Sequence, residues 1–408
     1  MDTSQPAPGG TSEGAFVCTE ALNGKSEDAP ASHRAEAHFV TLCVRDPDAV
    51  PAGDLQNAAA AVQDWGAVVS IAARHRVAAH VRDAASREAL ALPERAASAL
   101  QKTEFIRLAT TMAIDAALRR LGDAFGAAGV PFIVLKGPAL ARSIYPRRGL
   151  RPYGDLDLTV QDRHQVAAVG TLLDQGFREV RYAAEDARRQ HTEHLHGCAA
   201  FHRQFESADR QVLVELHTDP LQLGLQTSCE AARWQRAVPI PDFQNSLMLC
   251  PEDQIVHLST HVHKHGFDRL IWLKDLDRLI RVKQTGINWD LVAHIARDEG
   301  VLGSVWYSLY LSQVLLSAPV PPAVLRSMRP ALAVRLLYRQ VWPVARIAGL
   351  EGFMRRRAVQ FHAAESWRGM LPSLILMGRR GQRIRASLEA LLQPQTARRH
   401  RSPIEVLP

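Results

Sequence analysis

The chain reads as an α+β protein: a small mixed sheet flanked by N-terminal and C-terminal helical regions. Three observations predict this. Apolar residues recur with helical spacing before Phe125 and again after Pro251. Between those regions lie runs of strand length at 132–135, 155–160 and 211–217. Glycine and proline turns separate the runs. The expected divisions are a disordered tail at 1–36, a helical region at 37–127, a core at 128–245, a second helical region at 246–393, and a frayed end at 394–408.

Residues 1–36 are rich in Ser, Pro, Gly, Ala and acid and show no hydrophobic period. Helices begin near Phe39. Trp65, Val68, Val69 and Ala72 fall at i, i+3, i+4 and i+7, and 58–62 is a run of strong helix formers. Phe105, Leu108, Met112 and Leu118 mark another long helix. His75 and His80 are read as structural histidines, since a site needs a constellation rather than a lone side chain.

Gly129-Val130-Pro131 then leads into the apolar run 132–135. Lys136-Gly137-Pro138 ends that strand and opens a helix, with Pro138 placed at the first helical position. Leu140, Ser143 and Ile144 keep helical spacing. A Pro/Gly/Arg loop, 146–154, precedes the short strand 155–160. Alternate side chains of a strand share a face, so Asp155 and Asp157 point one way and Leu156 and Leu158 the other. Two adjacent carboxylates repel unless a cation lies between them, and hard oxygen donors suit magnesium. The Gly137 turn at a helix N-terminus is a natural phosphate seat. Together these features are the constellation of phosphoryl or nucleotidyl transfer.

A helix at 165–173 ending at Gly176, and a strand at 177–181, come next. A right-handed crossover is expected if that strand runs parallel to its neighbour. His191, His194, His196 and His202 surround Gly197-Cys198. With no carboxylate partner evident, they are read as surface histidines or nucleotide-positioning groups rather than a transition-metal site. In 211–217, Val212, Val214 and Leu216 face one side, and Leu213, Glu215 and His217 the other. Glu215 is costly to bury in such a strand without a partner. It is either a third metal-ligating carboxylate or an exposed residue of an edge strand.

Pro251-Glu252-Asp253 starts a helix whose apolar side is Ile255, Leu258 and Val262. His257, His261 and His265 share one face of it, and His263 lies off that face. H-E-x-x-H is absent, so zinc-protease chemistry is not indicated. Asp275 and Asp277, two apart on a second helix at 269–279, diverge by about 200° and cannot form a metal pair. Helices at 289–316 and 323–350 follow, split by Pro319-Val320-Pro321-Pro322. Arg355-Arg356-Arg357, Arg379-Arg380 and Arg398-Arg399 make the end of the chain basic.

The net charge of +7 over 408 residues favours anionic ligands in general. No aromatic interleaving supports a nucleic-acid platform. Cys18, Cys43, Cys198, Cys229 and Cys250 are scattered, odd in number and without C-x-x-C spacing. That argues against a disulfide framework or a zinc site and for a reducing cytoplasm. Neither a secretory leader nor an apolar run of roughly 18–20 residues is present, so no membrane association is expected.

The run L-K-G-x-A-L…Y-P…G-L-R-P…D-L-D-L, followed by V-E-L-H at 214–217, resembles the polymerase-β-type nucleotidyltransferase superfamily. It is closest to a branch of largely uncharacterised bacterial members. The resemblance covers roughly residues 58–279. It implies Asp155, Asp157 and Glu215 as catalytic, metal-ligating carboxylates for two magnesium ions, with manganese as a substitute. It places Lys136, Gly137 and Arg151 at the nucleotide, and His217 and His261 as acceptor or phosphate contacts. The implied reaction moves an NMP group from an NTP to a hydroxyl of a small-molecule, peptide or protein acceptor, a natural-product acceptor among them. The other class on this scaffold is a non-catalytic nucleotide-binding or antitoxin-like interaction protein; retention of three carboxylates favours the enzyme. In one respect the chain departs from the superfamily, which usually carries Ser after the glycine. Pro138 supplies neither a hydroxyl nor an N–H.

Overall fold

The computed structural model describes residues 33–180, 202–221, 230–341 and 344. The expected tail at 1–36 falls outside them except for its last residues. Also outside are His191, His194 and His196, the three basic clusters after Arg355, and the frayed end.

Four helices open the described chain: α1 (Arg34–Val44), α2 (Asp54–Ala61), α3 (Trp65–Arg74) and α4 (Ala78–Arg87). Local chemistry sets their starts. The Asp64 carboxylate accepts from Gly66 N and Ala67 N and so caps α3. Glu36, buried on α1, accepts from Gln63 N and Asp64 N and ties the two helices together. The 34-residue α5 (Glu94–Ala127) follows.

Its facing differs from expectation. Phe105 is 72% exposed and Met112 63%, with Leu108 also at the surface, whereas Leu118 is fully buried. The reason is that α5 joins two cores. Leu100 packs with α1–α4, and Ile114, Leu118, Leu121 and Phe125 pack on the sheet. The stretch between them spans the gap in water.

The sheet and its helices alternate from here. β1 (Ile133–Leu135), α6 (Gly137–Ser143), β2 (Leu156–Thr159), α7 (Gln165–Asp174) and β3 (Arg178–Glu179) come first. β4 (His202–Glu206), β5 (Leu213–His217), α8 (Glu230–Arg236), β6 (Val238–Pro239) and β7 (Leu247–Met248) complete the set. The seven strands form one mixed sheet in the order β3-β4-β5-β2-β1-β7-β6. β1 runs antiparallel to β2 and parallel to β7, and β2 runs parallel to β5. The α+β expectation therefore holds. β3 does not fulfil the crossover condition: it pairs antiparallel with β4 at the sheet edge. β5 lies inside the sheet between β4 and β2, which removes the edge-strand reading of Glu215.

The pleat sorts the two faces. Val134, Leu156, Leu158, Val214 and Leu216 pack with the second half of α5 and with Ala168 and Leu172 of α7. Leu135, Asp157, Glu215, Thr159 and His217 lie in register on the opposite face.

That second face meets the C-terminal helices. These are α9 (Pro251–Lys264), α10 (Leu270–Lys283), α11 (Trp289–Asp298), α12 (Leu302–Leu316), α13 (Pro322–Ser327) and α14 (Leu332–Val341). The continuous helices expected at 289–316 and 323–350 are each broken. Gly300, at φ +67°, turns the chain between α11 and α12, and Pro330 separates α13 from α14. The two helical regions are also not separate. Phe39, Val40 and Leu100 share one apolar core with Val262, Leu273, Tyr307 and Tyr338. Among the described residues no helix is long and apolar enough to cross a membrane. Cys43 and Cys250 are buried free thiols.

Candidate active site

β1 ends in a turn that only an unusual backbone can make. Lys136, the N-cap of α6, has φ +49° and ψ −136°, a left-handed conformation that L-residues adopt at a cost of about 1–3 kcal/mol. Gly137 is the first helical residue and Pro138 the second, one position later than expected. A Cβ on Gly137 would lie 3.3 Å from both Cβ and Cγ of Tyr153. The glycine thus lets the loop before β2 close over the start of α6.

This strained turn aims the Lys136 ammonium across the sheet. Its Nζ lies 3.0 Å from Asp157 Oδ2. Register does the rest: Leu135 pairs with Asp157, Asp157 with Glu215, and Thr159 with His217. The carboxylates of Asp157 and Glu215 and the His217 imidazole each offer an atom within 4.8 Å of the others. His217 Nε2 is 3.2 Å from Asp157 Oδ1 and 3.7 Å from Glu215 Oε2. An ionised Asp157 can only accept, so in the metal-free protein Nε2 is the donor in that hydrogen bond, and it would give up this proton to ligate a cation. Gln204 on β4 donates to Glu215 Oε1 at 2.8 Å.

Burial pushes the Asp157 carboxyl up, but the Lys136 charge and the His217 hydrogen bond outweigh it and hold it well below the usual range. Glu215 goes the other way: burial, then the Asp157 charge, raise it. Burial opposes the Lys136 charge, yet Asp157 and Asp155 together keep the ammonium above its ordinary value.

Asp155 does not join this group. It stands one residue before β2, half-buried, with a field felt by Lys136, Glu215 and Arg76. His217 takes the third place among the clustered ligand atoms.

Arg151 is the clearest departure from expectation. Only 3% exposed, it donates from Nε and one terminal nitrogen to the two oxygens of Asp275, at 2.6 and 2.7 Å. Its other terminal nitrogen donates to Pro152 O at 2.8 Å. The Tyr145 hydroxyl donates to the same Asp275 at 2.7 Å. All three nitrogens of the guanidinium are thus paired within the protein. Asp277 holds Lys274 and Arg281, so the two aspartates of α10 do diverge.

α9 forms the opposite wall. Pro251 opens it, with Glu252 and Asp253 in the first turn, where their charge suits the helix dipole. His257, His261 and Lys264 line a cleft together with Leu135, Lys136, Asp157, Pro220 and Leu221. His263, off that face, reaches Ser304 Oγ at 2.8 Å in the helical core. Lys264 completes this wall. The signal for it was there: 257, 261 and 264 stand at i, i+4 and i+7.

The donor set of Asp157, Glu215 and His217 could hold a divalent metal ion, with the two carboxylates suited to magnesium or manganese and the imidazole to a transition metal. A family model described as an uncharacterised nucleotidyltransferase matches residues 61–317. No curated protein matches the chain.

Proposed function

The chain belongs to this family of uncharacterised nucleotidyltransferases, and from that premise we propose that it transfers an NMP group from an NTP to a hydroxyl of a small-molecule, peptide or protein acceptor. The observation that carries the reading is the convergence of Asp157, Glu215 and His217 beside the Lys136 ammonium. The proposal puts the chemistry in the core at 128–245, between the helices of 37–127 and those described from 251 to 341.

In the reaction, the acceptor oxygen forms a bond to the α-phosphorus, the α–β bridging bond breaks, pyrophosphate leaves, and the acceptor hydroxyl gives up its proton. Asp157, Glu215 and His217 would hold a divalent cation. When bound, it neutralises phosphate charge and lowers the pKa of the acceptor hydroxyl. The chain's own part is placement and charge. Lys136, fixed by its strained turn, puts a buried ammonium next to the phosphate path. The raised Glu215 carboxyl belongs to the metal-free site; a bound cation would hold it ionised as a ligand. Asp155, outside the cluster, adds negative charge at its edge and would enter the coordination shell of a second ion. Lys136 takes over the anchoring that Pro138 cannot supply. Arg151 is assigned to holding the loop rather than to the nucleotide.

The test is incubation with each α-labelled NTP, magnesium and a lysate of the host. Label transfer that is lost in Asp157→Asn supports the reading. No transfer, together with no magnesium-dependent NTP binding by calorimetry, overturns it.

A further inference from the structure

His257 is 5% exposed, and neither of its ring nitrogens has a hydrogen-bond partner. A buried imidazole left unsatisfied costs about 1–3 kcal/mol, and unlike His80 this one borders a cleft from which a ligand can complete it. The ring borders the cleft that also holds Lys136, Asp157, His261 and Lys264.

We propose that the α9 face bearing His257, His261 and Lys264 binds the oligophosphate tail of the nucleotide and retains the departing pyrophosphate. This rests on the nucleotidyl-transfer reading and names a subsite within it.

Three further observations point to an anion rather than to the acceptor. First, the wall consists of hydrogen-bond donors. The carboxylates of α9 are turned elsewhere: Asp253 binds Arg236 at 2.8 and 2.9 Å, and Glu252 accepts from Asn288 N at 2.8 Å. Second, the groups on the wall repel one another's positive charge. Burial and then Lys136 bring the Lys264 ammonium down to about 8 and hold His261 well below its ordinary value. A polyanion seated between Lys136 and Lys264 removes that repulsion. Third, the guanidinium best placed by sequence for a phosphate, Arg151, is already held by Asp275. His261 is braced from behind, with its ring centroid 4.8 Å from that of Trp272 and 4.6 Å from that of His265.

The test uses the full chain in EDTA, so that no metal contributes, titrated with inorganic tripolyphosphate and with pyrophosphate by calorimetry. The wild type binds both. Lys264→Gln and His257→Gln each weaken tripolyphosphate about tenfold or more, as expected for a lost hydrogen bond to a charged group. Affinity for the bare nucleoside is unchanged. The ring carbon resonances of His257 move on titration, which a merely structural histidine would not show. If His257→Gln fails to fold, Lys264→Gln, at a half-buried position, carries the comparison. Wild-type affinity in the variants, or no binding of tripolyphosphate by the wild type, overturns the proposal. Tripolyphosphate binding through these residues, with neither label transfer nor magnesium-dependent NTP binding, would instead overturn the transferase reading and leave the subsite standing.

Discussion

Lys136 Nζ lies 3.0 Å from Asp157 Oδ2, so a buried ion pair is added to the backbone pairing that already joins β1 to the carboxylate strand β2. The ammonium stands in for the positive charge that Asp157 and Glu215 need when no metal is bound. Lys136→Met leaves that charge uncompensated. It is expected to cost the metal-free protein about 3–5 kcal/mol. Magnesium or manganese should then raise the melting temperature of the variant more than that of the wild type. Equal metal responses in a thermal-shift assay would refute the placement of the ion at this cluster.

Arg151 and Asp275 supply a second test. Breaking their two-pronged pair with Arg151→Met should destabilise the fold by about 3–5 kcal/mol, because it strands a carboxylate with no exposure. Adding Asp275→Leu should recover most of that loss. NTP affinity, measured by calorimetry below the melting transition, should be the same in the double variant as in the wild type. A large rise in its dissociation constant would return Arg151 to the nucleotide.

Gly137 is expected to be intolerant for a packing reason. In Gly137→Ala the new methyl meets Tyr153, which cannot retreat: it is 2% exposed and its hydroxyl is hydrogen-bonded to Asp115. The cost should be about 1–3 kcal/mol, read by denaturant unfolding. A neutral or stabilising result would mean that the Tyr153 ring moves freely.

His80 predicts a pH dependence. It is buried against Tyr145 with no hydrogen-bond partner, and burial, helped by the Lys274 and Arg151 charges, lowers it to about 3. The unfolded chain protonates this imidazole near its ordinary value of 6.5, while the folded chain does not. Its stabilising contribution is thus complete above about 6.5 and lost progressively as pH falls toward 3, by up to about 1.4 kcal/mol per pH unit. Unfolding curves between pH 7 and 4 should be shallower in pH for His80→Phe, which keeps the ring contact with Tyr145. An identical slope would show that His80 is charged in the folded protein.

Much of the site was legible because it is local. The apolar run before Lys136, the Pro at the start of α6 and the alternation around Asp157 and Glu215 are set by turn chemistry and by the two-residue period of a strand. What could not be read depended on long-range pairing. His217 joins Asp157 and Glu215 because β5 lies beside β2 in a register that brings Thr159 against His217. Phe105 and Met112 have helical spacing, but spacing does not say that their stretch of α5 bridges two cores.

By itself, then, the sequence determined which segments become strand, turn and helix, and which residue types could hold phosphate and metal. Those follow from backbone preferences and side-chain periodicity over a few residues. Only the tertiary structure decided which cation each carboxylate received. Lys136 went to Asp157 and Arg151 to Asp275, and the α9 histidines were turned toward the sheet. The physical reason is that charge pairing in a buried site is set by distances across the fold. For Arg151 and Asp275 those distances arise from packing across 124 positions of chain, and for Lys136 and Asp157 from the register of β1 on β2.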